Sequence, residues 1–190
     1  MRIIAGEKKG RRIEAPEGRE TRPTLDRVRE NIFNMLQTRM GGARVLDLFA
    51  GSGALSLEAL SRGAEFAVLA DRDRDALRIE KKNIEALEYE EKTRVIPGDW
   101  SRTTEKLRTE GEEFDLIFLD PPYAMRDLEK VTEALLPLAA EGAWMVIEHE
   151  AKAEPEVAPG WTEVNRRSWG FCGVSIFETE RQEETKRTVS

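Results

Sequence analysis

Cysteine and histidine are almost missing: Cys172 and His149 are the one residue of each kind in a chain of 190. A lone cysteine excludes an internal disulfide, and one thiol with one imidazole cannot supply the ligands of a structural zinc site, so no metal is expected. Also lacking is any apolar run near the roughly 18 residues that a membrane span requires. Nothing near the start resembles a signal peptide, because Arg2-Ile3-Ile4 leads straight into Gly6-Glu7-Lys8-Lys9. The expectation is a cytoplasmic protein with no membrane partner.

What the chain has is ordinary for a globular protein: 39% of its residues are hydrophobic and 35% charged. Its length suits one domain with a sizeable core. The net charge of −7 is unevenly spread, since residues 1–44 carry 11 Lys/Arg against 6 Asp/Glu, while residues 45–190 carry 19 against 31. A basic arm on an acidic body suits a polyanionic partner, with a merely solvated surface as the competing reading.

Residues 1–24 are polar and rich in Arg and Gly, with short β-like pieces at Arg2-Ile3-Ile4 and Arg11-Arg12-Ile13. Gly6 and Gly10 can supply turns, which predicts a basic hairpin or extended arm. Thr24 or Asp26 can cap a helix over about Leu25 to Arg39, on which Leu25, Val28, Ile32, Phe33 and Leu36 form the inward stripe while Arg27 and Arg29 face outward. Strands and helices then alternate. Strands are expected at Val45–Phe49, Phe66–Ala70, Thr93–Ile96, Phe114–Leu119 and Ala143–Glu148, with helices at Ala54–Arg62, Arg74–Leu87, Thr103–Thr109 and Leu128–Ala140. Such alternation predicts a doubly wound, mostly parallel α/β sheet with right-handed crossovers. Thr162–Trp169 and Cys172–Thr179 break it as an antiparallel hairpin around Gly170, and a polar tail over 181–190 is expected to be disordered. The domain expectation is therefore an arm over 1–24 and a catalytic domain over 25–180.

The stretch that organises the rest is Phe114 to Tyr123. Leu116–Leu119 is an apolar run suited to a strand buried on both faces, and Pro121-Pro122 ends it because neither residue has an N–H for the ladder. Asp120, Pro121, Pro122 and Tyr123 thus stand at a strand's carboxyl end, where open parallel sheets bind ligands.

Gly51-Ser52-Gly53, after the strand ending near Asp47 and Phe49-Ala50 and before a helix, has the architecture of a nucleotide-type cofactor turn. Ser56 stands where a dinucleotide fingerprint has its third glycine, which weakens a pyrophosphate reading. Asp47 weakens it further, because a carboxylate there would repel phosphate by several kcal/mol at short range. A cationic ligand would be attracted, and S-adenosylmethionine carries an ammonium and a sulfonium in that part of the molecule. Asp71, 20 residues after Gly51 and followed by Arg72, is placed to accept from ribose hydroxyls. Asp99 and Trp100 follow the third strand, within reach of an adenine amine and its ring face. With such a cofactor, the Asp120 carboxylate and the Pro121 carbonyl can accept both N–H bonds of an exocyclic amine and aim its lone pair at the methyl group. Tyr123 offers a face for an extruded base. His149 reads as a surface or supporting residue, Cys172 as core, and Trp144, Trp161 and Trp169 as packing.

The run Arg44-Val45-Leu46-Asp47-Leu48-Phe49-Ala50-Gly51-Ser52-Gly53-Ala54-Leu55, the element Arg22-Pro23-Thr24 with Arg27-Val28-Arg29-Glu30 and Phe33-Asn34, and Asp120-Pro121-Pro122-Tyr123 together resemble the RsmD family of bacterial 16S rRNA guanine-N2 methyltransferases. The resemblance runs in order from Arg2 to about Thr179. Asp-Pro-Pro-Tyr alone is shared with adenine-N6 methyltransferases, so the base is not decided by that motif. The resemblance implies a class I S-adenosylmethionine-dependent methyltransferase fold, Rossmann-like, with seven strands of which the last is antiparallel. It further implies methylation of a guanine of the 16S position-966 type in a partly assembled small subunit, by a monomer. Where the family often has glutamate at the end of the second strand, this chain has Asp71. Ala5 also departs from the opening pattern, and Ser56 from a common glycine. On this reading Arg2, Lys8, Lys9, Arg11, Arg12, Arg22 and Arg29 contact RNA phosphates. Competing readings are an adenine-N6 methyltransferase on DNA or RNA, a non-catalytic cofactor-sensing RNA-binding protein, and a small-molecule methyltransferase that would leave the basic arm without a purpose.

Overall fold

The computed structural model describes residues 1–15, 23–122 and 125–179. Seven strands form one sheet: β1 (Arg44–Asp47), β2 (Phe66–Asp71), β3 (Thr93–Pro97), β4 (Phe114–Leu119), β5 (Ala139–Glu150), β6 (Trp161–Trp169) and β7 (Cys172–Thr179), in the order β3-β2-β1-β4-β5-β7-β6. The first five are parallel, and β7 runs antiparallel to both β5 and β6. This is the class I methyltransferase architecture that the family resemblance implies, with the mostly parallel sheet and terminal antiparallel hairpin that the sequence pattern predicts.

The apolar strand runs exist because both sheet faces are covered. Successive residues alternate between two cores: Val45, Leu69, Leu116 and Phe118 join one, and Leu46, Val68, Ile117 and Leu119 join the other. Helices α1 (Pro23–Met35), α2 (Ala54–Ser61) and α3 (Arg74–Leu87) contribute Ile32, Leu57 and Ile84 to the first core. Helices α4 (Trp100–Glu110) and α5 (Leu128–Leu135) contribute Leu107 and Val131 to the second.

Several boundaries differ from expectation for local reasons. The α4 helix begins at Trp100 rather than Thr103 because the Asp99 carboxylate accepts the Arg102 N–H at 3.1 Å and caps it. The α5 helix stops at Leu135, followed by a 3-10 turn over Leu136–Leu138, where Pro137 cannot continue an α-helical ladder. The α1 helix starts at Pro23, a residue suited to a first turn, and a separate 3-10 turn covers Gln37–Arg39. The expected disordered tail over 181–190 lies outside the described residues.

The basic amino-terminal segment is a hairpin docked on the body. Arg2 bridges Arg12 in antiparallel fashion, and Ile3 and Ile13 are buried in the first core. The Glu58 carboxylate on α2 accepts the N–H groups of Ile4 at 2.7 Å and Ala5 at 3.0 Å, and Arg62 Nε at 2.7 Å. A buried carboxylate with three charge-assisted bonds holds the hairpin down.

Candidate active site

Register explains where the acidic residues fall. Asp47 lies level with Leu69 of β2 and Phe118 of β4, so it sits two residues below Asp71 and Asp120, which mark the carboxyl edge on either side. Between them opens a cavity of about 910 Å³, at the point where the strand order reverses direction. Its wall carries Phe49, Gly51, Asp71, Arg72, Gly98, Asp99, Trp100, Asp120 and Pro122. Six carboxylate side chains face it (Glu14, Asp71, Asp73, Asp75, Asp99 and Asp120) against the guanidinium groups of Arg72 and Arg78. That balance repels pyrophosphate and favours a cation.

The glycine turn is built for close approach. Gly51 has φ +58°, and a Cβ there would meet nothing within 4 Å, so its open side is the cavity itself. Gly53, at φ +76°, opens α2, and a Cβ there would stand 2.8 Å from Leu69 Cδ2. One glycine leaves room for ligand and the other for packing. Asp71 ties turn to strand: Oδ2 accepts the Gly51 N–H at 3.0 Å and Oδ1 the Asp73 N–H at 2.9 Å. Asp99 reaches the same cavity while capping α4.

Asp47 is placed differently from the expected direct contact. It is 1% exposed beneath the turn and absent from the cavity wall. Its Oδ2 accepts the Ser56 hydroxyl at 3.0 Å, and its Oδ1 has no hydrogen-bond partner. Burial, opposed by the Ser56 bond and reinforced by the charges of Asp120 and Asp71, pushes its pKa up to about 7. Ser56, which departs from the glycine fingerprint, thus holds the carboxylate of that same motif. A second buried acid was not anticipated: Glu80 on α3 is fully buried, and neither of its oxygens has a hydrogen-bond partner. Burial, then the charges of Asp47 and Asp71, raise its pKa to about 8. The ground beneath the turn is acidic as well as its rim.

Asn83 is another residue the motif reading missed. Its side chain is buried on α3, where Oδ1 accepts the Glu14 N–H at 2.7 Å while Nδ2 donates to the Glu14 carbonyl at 3.0 Å and to the Ser52 carbonyl at 2.9 Å. Only this amide orientation works, because the Glu14 N–H can only donate. Glu14 and Ala15 line the cavity, so one amide fixes the hairpin wall against the glycine turn.

At the end of β4 Asp120 and Pro122 line the cavity, and the Pro122 carbonyl accepts the Met125 N–H at 2.8 Å, which steadies the segment. Tyr123 and Arg22 lie outside the described residues. Of the other cations expected at RNA, Arg2, Lys9, Arg11 and Arg12 are exposed. Arg11 also donates to the Ala86 carbonyl, and Lys8 pairs with Glu88 at 3.0 Å above the Tyr89 ring. Arg29 is a correction. It is 5% exposed and donates to the Arg2 carbonyl and to Asp26 at 3.2 Å, so it anchors the hairpin to α1 instead of facing outward. His149 is also buried, held by the Glu150 carbonyl and the Ser175 hydroxyl. Among the described residues no group of His, Cys, Asp and Glu could hold a metal ion, and no helix is long and apolar enough to cross a membrane.

Comparison with known proteins adds to this geometry. The family model described as conserved hypothetical protein 95 matches residues 1–178. Bacillus subtilis YlbH, whose name provisionally makes it an rRNA methyltransferase, is 39% identical over 181 residues, covering 94% of this chain and 98% of its own. Ribosomal RNA small subunit methyltransferase D of Escherichia coli K12 is 34% identical over 192 residues, covering 97% and 93%. The solved structure of Escherichia coli yhhF, provisionally named a methyltransferase, superposes with a TM-score of 0.81 at 32% identity, covering 96% and 99%. A family model spanning nearly the whole chain, with relatives of matching length, leaves one conclusion: the chain belongs to the RsmD family.

Proposed function

We propose that this protein transfers a methyl group from S-adenosylmethionine to the exocyclic N2 of a guanine in 16S rRNA, in a partly assembled small ribosomal subunit. The observation that carries the reading is one acidic cavity whose wall holds both Asp71 and Asp99, set for a nucleoside cofactor, and Asp120 with Pro122, set for an amine. The names of the two sequence relatives, both of rRNA methyltransferases, support the substrate class.

The residues fit this cofactor. Gly51 leaves open space over the turn, Asp71 can accept from ribose hydroxyls, Asp99 from an adenine amine, and Trp100 offers a ring face. Burial holds Glu80 beneath them largely protonated near neutral pH, so the negative potential toward a cationic ligand comes from the carboxylates of the cavity wall. The bound cofactor supplies an electrophilic methyl carbon on a sulfonium.

The protein's own part is orientation and electrostatics. Asp120 and the Pro121 carbonyl accept the two N–H bonds of the amine, drawing its lone pair out of conjugation and toward the methyl carbon. Once the methyl group has passed to nitrogen and the neutral thioether has left, Asp120, on the cavity wall, or water would take the one proton the methylated amine loses. Tyr123, at the next position but one after Pro121, provides the stacking face for the extruded base.

The test is transfer of labelled methyl to unmodified small-subunit rRNA, small subunits and duplex DNA, followed by nucleoside mass spectrometry. N2-methylguanosine from the ribosomal substrates alone is expected. N6-methyladenine would preserve the cofactor site and overturn the base assignment.

A further inference from the structure

The hairpin that joins β6 to β7 carries a residue the fold does not explain. Trp169 pairs with Cys172, which leaves Gly170-Phe171 as a two-residue loop. Gly170 has φ +61° and Phe171 does not share a positive φ, the pattern of a II′ turn with glycine first. The second position of such turns usually takes a small polar residue. Here it is phenylalanine with 97% of its surface exposed, one of two exposed large hydrophobics among the described residues. The backbone is pinned, because the Phe171 carbonyl accepts the Ala151 N–H at 2.9 Å. The ring itself contributes nothing to the core.

Register gives its place. Leu119 pairs with Ile147, so Asp120 is level with Glu148, and Glu148 pairs with Val174. Phe171 therefore lies two strands over from Asp120 and three residues farther out, on the same edge. With about 4.8 Å between strands and about 3.4 Å per residue, the separation is about 14 Å, or roughly two nucleotide steps. Glu148 and Glu150 at the adjoining end of β5 make this stretch unsuited to phosphate. A base face has no such objection, and an extruded target leaves its neighbours unstacked.

We propose that Phe171 stacks on an unpaired RNA base flanking the methylated nucleotide, extending the substrate surface from Asp120 across β5 to the tip of the β6–β7 hairpin. This rests on the RNA reading above. It makes the rim aromatic where the amino-terminal hairpin is basic, so the two ends of the RNA site recognise different parts of a nucleotide.

The experiment compares wild type with Phe171→Ala, Phe171→Ser and Phe171→Trp, measuring affinity for a fluorescein-labelled fragment of unmodified small-subunit rRNA, affinity for S-adenosylhomocysteine, and thermal midpoint. Loss of the ring should weaken RNA binding about 5-fold or more, with tryptophan restoring it, while cofactor affinity and midpoint stay at wild-type values. Equal RNA affinity in Phe171→Ala, or weakening matched by a lower midpoint, overturns the inference and leaves the methyltransferase reading intact. Absence of RNA binding by the wild type overturns both.

Discussion

At the residue scale two carboxyl groups, Asp120 and Glu80, make separate predictions. If Asp120 accepts the amine protons, Asp120→Ala should fold and bind S-adenosylhomocysteine normally while methyl transfer falls about 10²-fold or more, measured in single turnover. Full transfer by a folded variant would reject the mechanism. Glu80 is a stability prediction. Its carboxyl titrates near 4.5 in an unfolded chain and is raised to about 8 here by burial, then by Asp47 and Asp71, with Lys81 opposing. A raised native pKa means the folded state holds the proton, so its contribution is complete below about pH 4.5 and is lost as pH rises through about 8. Asp47, raised to about 7, acts in the same direction. Urea titrations should therefore find the protein weaker at pH 9 than at pH 6, and Glu80→Gln should recover up to about 5 kcal/mol at pH 9 and no more than about 1 kcal/mol at pH 5. An unchanged pH profile in that variant would contradict the assignment.

Among the elements, the amino-terminal hairpin is both a wall of the cavity and the base of the expected RNA site. Asn83 joins it to the glycine turn through three hydrogen bonds. Asn83→Leu should weaken S-adenosylhomocysteine binding about tenfold in calorimetry, since the buried carbonyls of Glu14 and Ser52 lose their donor. Glu14→Pro, which removes the N–H that Asn83 accepts together with a carboxylate of the cavity wall, should reproduce part of that loss from a residue on the hairpin. If Glu14→Pro binds as wild type does, the hairpin is no wall of the site.

Legibility from sequence also differs by element. The α3 helix, Arg74–Leu87, lies where periodicity places it, and the buried strands are plain in their apolar runs. What was missed is polar residues on apolar stripes. Arg29 is four residues from both Leu25 and Phe33, and Glu80 and Asn83 share the face of Ala76, Ile84 and Leu87. Helical spacing places all three inward, while charge or polarity argues the other way, and for Arg29 the charge prevailed in the expectation of an outward side chain. Only tertiary partners decide such a contest. For Arg29 they are a carbonyl and a carboxylate, and for Asn83 two chain segments, whereas Glu80 is buried with no hydrogen-bond partner to signal it. The strand-end acids were visible at once, but their depth was not, because depth depends on register between strands.

Across the whole molecule, charge is divided between an acidic cavity and a basic hairpin. Arg12 is exposed and Arg11 spends one N–H on the Ala86 carbonyl, which leaves its charge in place. Neutralising both should reduce the slope of log affinity for RNA against log salt by up to about 0.7 per lost contact, with cofactor affinity unaffected. A slope equal to wild type would remove this hairpin from the interface.

The docking of that hairpin bears on how the molecule is made. Ile3 and Ile13 are core residues, yet the groups that receive their strands belong to Glu58, Ser61 and Asn83, some 50 to 70 positions later. On a translating ribosome residues 1–15 emerge before the residues that cover them. They must wait, exposed and apolar, until α3 has cleared the exit tunnel. The hairpin thus depends for its place on residues some 50 to 70 positions further along the chain.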